Sequence, residues 1–355
     1  MKITTFQRDA ADQLTAVLRK VPFLESARFH RESTHGDSRA DFVLAIRSRL
    51  TNRRLVCEVK SNGQPRIARE ACLTLRDYVR SDERDYPVFI APFISPAAAA
   101  VCDQYQVGYF DLAGNCRLAF DQVFIQREGF ANPTVQKRDL RSLYSPKAER
   151  ILRVLVTAAK RNWRMQDLAD EAGVSLGQVA NVKKLLSNRE WIEADAGGIR
   201  LRSLESAVLP LLKEWAGNYR MERSTARDYY SLKPIPQMEA EMAEASRQFQ
   251  LRYSLTGLSG AVRLAPTVRY QRITAYVLGD LPALADRLEL RPVASGANVT
   301  ILEPYDEGVF YGSRAIERVP VASPVQLYLD LMQIKGRGEE AATAIVDEVI
   351  TPAWR

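Results

Sequence analysis

The feature of the sequence that most constrains its fold lies near the middle of the chain, where a glycine separates two short helical patterns. Met165–Ala172 and Ser175–Leu186 have helical spacing of apolar residues, and Gly173 stands where a helix ends in a left-handed residue. Ser145 and Pro146 predict the start of a preceding helix, because serine caps helices and proline fits the first turn. Two short helices joined by a glycine turn are typical of a helix-turn-helix.

A tight β-hairpin is predicted directly after these helices. The segment Trp191–Arg202 alternates around Gly197 and Gly198, a pair of residues typical of two-residue hairpin turns. Three helices followed by a hairpin predict a winged helix-turn-helix over residues 140–205, with the hairpin as the wing.

The charge of this segment indicates a nucleic-acid partner. The chain carries 50 basic and 43 acidic residues, a net charge of +7. The stretch Lys137–Arg202 holds 14 basic and 8 acidic residues, so most of the excess lies there. A local basic surface attracts phosphate backbones through counterion release. A solvated helical face, or a winged helix used only for protein contacts, remains the alternative.

The two sides of the third helix can be assigned from the rotation of about 100° per residue. Val179, Val182 and Leu186 share the side predicted to be buried. The opposite side and the wing are expected to bind duplex DNA without a cofactor, because amides pair with adenine, lysines reach guanine or phosphate, and arginines hold phosphates. The predicted DNA-binding residues are Gly177, Gln178, Asn181, Lys183, Lys184, Arg200 and Arg202.

Two strand patterns in the N-terminal part bring charged residues together. Asp41–Arg47 and Arg54–Lys60 predict an antiparallel hairpin in which the two arginines nearest the loop face each other. This register places Asp41 beside Lys60, with Glu58 on the diagonal. Two carboxylates so close repel unless a cation lies between them, so the pair predicts a Mg²⁺ site.

These charged residues resemble the motif of the PD-(D/E)xK superfamily of restriction-like nucleases. The resemblance implies a restriction-endonuclease-like α/β fold for residues 1–135. It also implies that Asp41 and Glu58 hold Mg²⁺ or Mn²⁺, with Glu25 as a further ligand, and that Lys60 is catalytic at the reacting phosphate. The alternative is a scaffold kept for binding, whose charged residues form an ordinary ion-pair cluster.

The C-terminal part, residues 206–355, predicts an α+β domain that acts as a binding module. It contains no Walker loop, and the only histidines of the chain, His30 and His35, lie outside it, which excludes histidine-dependent chemistry in this part. Strand and then helix patterns follow one another along it. The strands are Ile273–Leu278, Val299–Glu303 and Val309–Tyr311, and the helices are Pro324–Ile334 and Glu339–Ile350.

Four ordered motifs in this part are similar to those of the AbiEi antitoxins of type IV toxin–antitoxin systems. They are Tyr253–Ala261, Gly308–Gly312, Val321–Leu331 and Gly336–Ala342, and the similarity extends from about Ser145 to the C terminus. The resemblance implies a regulator that binds inverted-repeat operators through the winged helix, as a homodimer or as two monomers. It also implies repression of its own operon and a nucleotidyltransferase toxin that it counteracts without a stable complex.

Three functions remain open from the sequence. The leading hypothesis is an antitoxin-type transcriptional regulator, and the alternative is a Mg²⁺-dependent DNA endonuclease targeted by the winged helix. A pure interaction protein is the third. No apolar run approaches the roughly 18 residues that span a bilayer, and no signal peptide opens the chain, so we expect a cytoplasmic protein without a membrane partner. The four cysteines predict reduced packing residues.

Overall fold

The computed structural model describes residues 5–24, 26–35, 38–47, 52–79, 82–131 and 143–355. The chain divides into two compact units, Met1–Lys137 with Asn188–Glu190 and Arg138–Ser187 with Trp191–Arg355. The mixed α/β structure with several sheets agrees with the prediction of a multidomain chain of α/β and α+β type. The predicted domain boundaries near 135–140 and 205–206 stay predictions. Within the described part of the chain, no helix is both long and apolar enough to cross a membrane.

The first unit is built on a seven-stranded mixed sheet. Its elements are α1 (Thr5–Leu18), β1 (Ser26–His35), β2 (Ser38–Arg47), β3 (Asn52–Val59), α2 (Pro65–Val79), β4 (Asp85–Ala91), α3 (Pro96–Gln104), β5 (Gly108–Asp111), β6 (Cys116–Phe120) and β7 (Val123–Arg127). The strands lie side by side in chain order. The pairs β3–β4 and β4–β5 are parallel and the other neighbouring pairs are antiparallel.

Alternation along the strands gives this sheet two apolar faces. Leu55 and Cys57 of β3 belong to the cluster that contains Leu14 of α1, whereas Val56 packs with Cys72 of α2 on the other face. All four cysteines of the chain are buried in this unit, as predicted for packing residues.

The β2–β3 hairpin is present, but its predicted register is wrong by two residues. Arg47 pairs with Asn52 instead of Arg54. The same register, extended to the other end of the hairpin, places Asp41 opposite Glu58. The second strand begins two residues earlier than predicted, because Asn52 and the residue after it continue the pairing instead of belonging to the loop. A shift of two residues keeps side chains on their predicted faces, since side-chain direction repeats every second residue.

The second unit begins with three helices and a hairpin and continues into a second sheet. Its elements are α4 (Pro146–Thr157), α5 (Met165–Ala172), α6 (Leu176–Asn188), β8 (Ile192–Asp195), β9 (Gly198–Leu201), a π-helical turn (Leu204–Val208), α7 (Leu209–Asn218), a 3₁₀ helix (Met221–Arg223), β10 (Thr225–Tyr230), α8 (Ile235–Gln248), β11 (Arg252–Thr256), α9 (Gly257–Ala261), β12 (Ile273–Leu278), α10 (Leu281–Arg287), β13 (Arg291–Pro292), β14 (Val299–Glu303), a 3₁₀ helix (Glu307–Phe310), β15 (Arg314–Ile316), β16 (Val319–Val321), α11 (Pro324–Leu331), α12 (Arg337–Ile345), a π-helical turn (Val346–Ile350) and α13 (Thr351–Trp354).

The second sheet has seven strands in the order β13-β10-β14-β12-β11-β16-β15. The predicted strands Ile273–Leu278 and Val299–Glu303 are confirmed as β12 and β14. The predicted strand Val309–Tyr311 is wrong. A 3₁₀ helix occupies this place because the Asp306 carboxylate accepts a hydrogen bond from the Gly308 N–H at 2.8 Å and turns the chain.

One large hydrophobic core serves the second unit, beside a smaller buried cluster that contains Tyr276 and Phe310. One continuous cluster of buried side chains runs from Leu143, before α4, to Trp354, at the end of α13. The three helices, the hairpin and one face of the second sheet therefore share their apolar interior.

Candidate functional site

The predicted turn between α5 and α6 is present. Gly173 has φ 61° and ψ 44°, the left-handed conformation expected at the end of a helix. The Ser175 hydroxyl accepts a hydrogen bond from the Gln178 N–H at 3.3 Å, which caps the first turn of α6. The local chemistry of a glycine and a serine thus sets where one helix ends and the next begins.

The two sides of α6 are those predicted. Val179, Val182 and Leu186 are buried, and Leu185 joins them. On the opposite side Gly177, Asn181 and Lys184 are exposed, while Gln178 and Lys183 are half-buried. Among the described residues, Lys183 and Lys184 have no ion-pair partner. The helix therefore presents polar and cationic groups to solvent, and their contact with DNA stays a prediction.

The hairpin turn is organised by one carboxylate. Asp195 Oδ1 accepts hydrogen bonds from the N–H groups of Gly197 at 2.7 Å and Gly198 at 3.1 Å, and from Asn162 Nδ2 at 3.2 Å. These donors, Asn162 first, lower the pKa of the Asp195 carboxyl. The turn is thus held in one conformation by Asp195, the last residue of β8, with a contribution from Asn162.

A single antiparallel β-bridge between Trp163 and Ile199 ties the hairpin to the loop before α5. The backbone N–H of Trp163 donates to the Ile199 oxygen at 2.8 Å, and the Ile199 N–H donates to the Trp163 oxygen at 2.8 Å. A Cβ atom on Gly198 would lie only 2.2 Å from that Trp163 oxygen. Glycine is therefore required in the turn by close backbone approach as well as by conformation.

The two arginines of the hairpin differ in their surroundings. Arg200 faces Glu193 across the hairpin, and its Nη2 and Nε lie 2.7 and 2.9 Å from the Glu193 Oε2. Arg202 is exposed, and no described residue pairs with its side chain. Sequence reasoning missed the Glu193 partner, although the register imposed by the two-residue turn places these two residues opposite each other.

The base of the hairpin forms an open cleft of about 440 Å³. Three cations and one carboxylate line it. The lining residues are Lys160, Glu193, Arg200, Leu201, Arg202, Ser203 and Ser206. Lys160 was also missed by sequence reasoning, because it lies in the loop after α4 and reaches the hairpin only through the tertiary fold.

The charged residues of the first unit do come together. Lys60 Nζ lies 2.6 Å from Glu58 Oε1. Asp41 accepts hydrogen bonds from the Val59 N–H at 2.7 Å and from Gln7 Nε2 at 2.8 Å. Burial raises the pKa of the Glu58 carboxyl, and the hydrogen bond from Lys60 opposes that rise.

Two carboxylates are a donor set that Mg²⁺ can use, and within the protein both already have partners. Both Asp41 oxygens accept hydrogen bonds, and Lys60 pairs with Glu58. In the described ranges no group of three or more His, Cys, Asp or Glu side chains could hold a metal ion. Glu25, the predicted further ligand, lies outside the described residues. The catalytic and metal roles stay predictions.

A second charged site is buried within the second unit. The Asp330 carboxylate is fully buried and accepts hydrogen bonds from Tyr219 at 2.8 Å, Tyr276 at 2.9 Å, Gln326 at 2.9 Å and Thr256 at 2.5 Å. Burial raises the pKa of this carboxyl, and the four donors oppose the rise. Such a satisfied network favours one arrangement of the elements around it.

Comparison with known proteins bears on the part of the second unit that contains this network. Residues 207–351 match a family model. It is that of the AbiEi antitoxin, a transcriptional regulator of type IV toxin–antitoxin systems. The four motifs that carried the resemblance all lie in this AbiEi segment, so the predicted similarity is confirmed there. The match begins after β9 and includes neither α4–β9 nor the first unit. No curated protein and no solved structure matches the chain.

Proposed function

We propose that the chain is a DNA-binding transcriptional regulator of the antitoxin type, which binds operator DNA through a winged helix-turn-helix within residues 143–202. The observation that carries this proposal is the exposed polar side of α6 beside a hairpin with a basic cleft at its base. A helix of this kind fits the major groove, and the neighbouring cations would bind phosphates. Such binding needs no cofactor.

Each predicted DNA-binding residue has a role in this proposal. Gln178 and Asn181 would pair with adenine edges, and Gly177 would let the backbone approach the groove. The cationic side chains would bind phosphates or guanine. These are Lys183, Lys184, Arg200 and Arg202, with Lys160 added by the structure.

The match of residues 207–351 supports the antitoxin part of the proposal. The partner that follows from the family is a toxin whose activity the chain counteracts, and we propose a nucleotidyltransferase that need not form a stable complex. An inverted-repeat operator would take two copies of the winged helix, from a homodimer or from two monomers.

Binding of the full chain to duplex DNA, followed by fluorescence anisotropy at several salt concentrations, tests the proposal. Lys184→Ala should weaken binding to all sequences and reduce the salt slope by about one, because one phosphate contact is lost. Asn181→Ala should change sequence preference and leave the slope unchanged. Lys213→Ala, at an exposed lysine of α7, is the control for loss of charge. A chain that binds no duplex at low salt would refute the proposal.

A nuclease acting through the first unit is a second candidate. The observation that favours it is the meeting of Asp41, Glu58 and Lys60 at one end of β2 and β3. Plasmid DNA incubated with the chain and Mg²⁺ or Mn²⁺ tests it. Cleavage that Asp41→Ala and Lys60→Ala both abolish would establish the nuclease, and an intact plasmid that the chain still binds would leave the regulator.

A further inference from the structure

We infer that the loop Tyr305–Gly312 of the AbiEi segment positions the DNA-binding helices, and that Tyr305 and Asp306 are positioning residues for DNA recognition. The inference rests on the proposed function, because it concerns how the same DNA-binding surface is held. It assigns a role to the Gly308–Gly312 motif, which lies far along the chain from α6.

The helix α4 is the element on which this loop acts. Six consecutive residues of α4, Ile151–Val156, are buried. A helix buried on all sides is enclosed by neighbours. One side of α4 contacts α5, and the other contacts α11 and the 3₁₀ helix Glu307–Phe310. The first of the three DNA-binding helices is therefore enclosed partly by the AbiEi segment.

A bidentate ion pair joins the loop to α4. Arg150 Nε lies 2.8 Å from Asp306 Oδ1, and Arg150 Nη2 lies 3.0 Å from Asp306 Oδ2. The Asp306 side chain is only 9% exposed, so solvent screens this pair little. Two parallel hydrogen bonds fix both distance and angle between their partners. The same carboxylate accepts from the Gly308 N–H and so also shapes the loop.

The Tyr305 hydroxyl lies between two charged residues of α4. It donates to the carboxylate of Glu149, which also accepts from Arg223 Nη1 at 3.0 Å. It accepts from Arg153 Nη2 at 3.4 Å, and Arg153 in turn donates to Gln326 Oε1 at 2.7 and 3.0 Å. Glu149 and Arg153 are fully buried. Breaking such a contact would leave a buried charge without its partner, which strongly disfavours other placements of the loop.

Close packing reinforces these polar contacts. A Cβ atom on Gly308 would lie 2.8 Å from Arg150 Cγ, so the loop backbone rests directly against α4. Tyr311 at the end of the loop donates to Glu171 of α5 at 2.9 Å, which holds a second helix of the three. The loop thus contacts two of the helices that carry α6.

Looser attachment of α4 has a distinctive consequence for DNA binding. Base contacts require α6 in one orientation, whereas phosphate contacts tolerate several. Loss of the loop contacts should therefore lower affinity for a preferred sequence while affinity for unrelated DNA and the salt slope stay unchanged.

The test uses the full chain and a preferred duplex selected by it from a random pool. Asp306→Asn should reduce the ratio of preferred to scrambled affinity about tenfold, which corresponds to about 1.4 kcal/mol. Glu307→Gln is the matched control, because this neighbouring carboxylate pairs at 2.6 Å with Arg252 of β11 in an exposed contact and makes no hydrogen bond to α4 among the described residues. The control should keep the wild-type ratio.

Two more variants keep the inference falsifiable if Asp306→Asn folds poorly. Tyr305→Phe should lower the same ratio, and Arg150→Gln, which breaks the ion pair but leaves the Asp306–Gly308 hydrogen bond in place, should lower it as well. If Asp306→Asn and Tyr305→Phe both keep the wild-type ratio of preferred to scrambled affinity, the inference is overturned and the proposed function stands. An equal fall in affinity for both duplexes would have the same meaning. Failure of the wild-type chain to bind any duplex would instead overturn the proposed function and the inference with it.

Discussion

Single residues decide how much of the predicted DNA-binding charge is available. Arg200 shares its guanidinium with Glu193, whereas Arg202 has no described partner. Both members of the pair are about half exposed, at 48%. An exposed ion pair contributes little to folding, so its main effect in this position is on what else the arginine can bind.

Glu193→Gln should therefore strengthen DNA binding. The substitution frees Arg200 for a phosphate and removes a negative charge from the cleft, so we expect about a two- to fivefold gain in affinity at low salt. The gain should shrink as salt increases, because exposed charges are screened. Anisotropy titrations measure it, and Glu303→Gln, which breaks an Arg–Glu pair of the second sheet, is the control. Unchanged affinity in Glu193→Gln would show that Arg200 does not contact DNA.

The Glu58 carboxyl should make stability depend on pH. Its pKa in the folded chain is raised above the usual 4.5, mainly by burial. In the range just above 4.5 the folded state therefore binds more protons than the unfolded state. The stabilisation is complete below the ordinary pKa and is lost as pH rises through the raised one.

Glu58→Gln should remove this loss, so the variant gains stability relative to wild type as pH rises toward neutrality. Lys60→Met should increase the loss of stability with pH, because the Glu58 pKa rises further without the Lys60 hydrogen bond. Urea unfolding of both variants across this pH range measures the difference. Curves of Glu58→Gln that stay parallel to wild type at every pH would contradict the assignment.

At the scale of elements, the hairpin depends on its turn. Gly198 has φ 141°, a conformation that residues with side chains rarely adopt, and its backbone lies against Trp163. Gly198→Ala should destabilise the chain by about 1–3 kcal/mol and weaken DNA binding through the distorted hairpin. Gly217→Ala in α7 has open space around its Cβ position and should stabilise by about 0.5–1 kcal/mol. Thermal unfolding compares the two, and equal melting temperatures would refute the close approach.

Elements also show where sequence reasoning succeeds and where it fails. The end of α5 at Gly173 and the presence of a tight hairpin turn were predicted correctly, because each depends on residues next to it in the chain. The turn residues are Ala196 and Gly197 instead of the predicted Gly197 and Gly198, since Gly198 already pairs with Asp195. The register of β2–β3 was not, because loop length alone leaves more than one pairing open. The predicted strand Val309–Tyr311 failed for a related reason, since its apolar side chains pack against β12 and β14, which lie elsewhere in the chain.

At the scale of the whole molecule, the helices α4–α6 and the AbiEi segment share one main core. The apolar cluster from Leu143 to Trp354 is continuous, and the buried charges of α4 have partners in the AbiEi segment. Separation of these parts would expose apolar surface and leave charges unpaired. The second unit should therefore unfold as one cooperative body.

The four tryptophans allow this to be measured, because all lie in the second unit. Trp163 and Trp191 report on the helix and hairpin part, whereas Trp215 lies in the AbiEi segment and Trp354 directly follows it. Single-tryptophan versions of the full chain, with the other three changed to Phe, should give coincident urea transitions for the two groups. An earlier transition at Trp163 and Trp191 would mean that the winged helix folds separately.

The local framework of this protein could be predicted from its residues alone. It consists of helix ends, the hairpin turn, the apolar side of α6 and the AbiEi motifs, which follow from backbone conformation and from periodicity between near neighbours. The burial of Glu149, Arg153 and Asp330, the pairing of Arg200 and the contacts of the Tyr305–Gly312 loop with α4 became visible only in the fold. From the sequence alone, charged residues are expected on the surface, because the groups that compensate their burial lie many residues away along the chain.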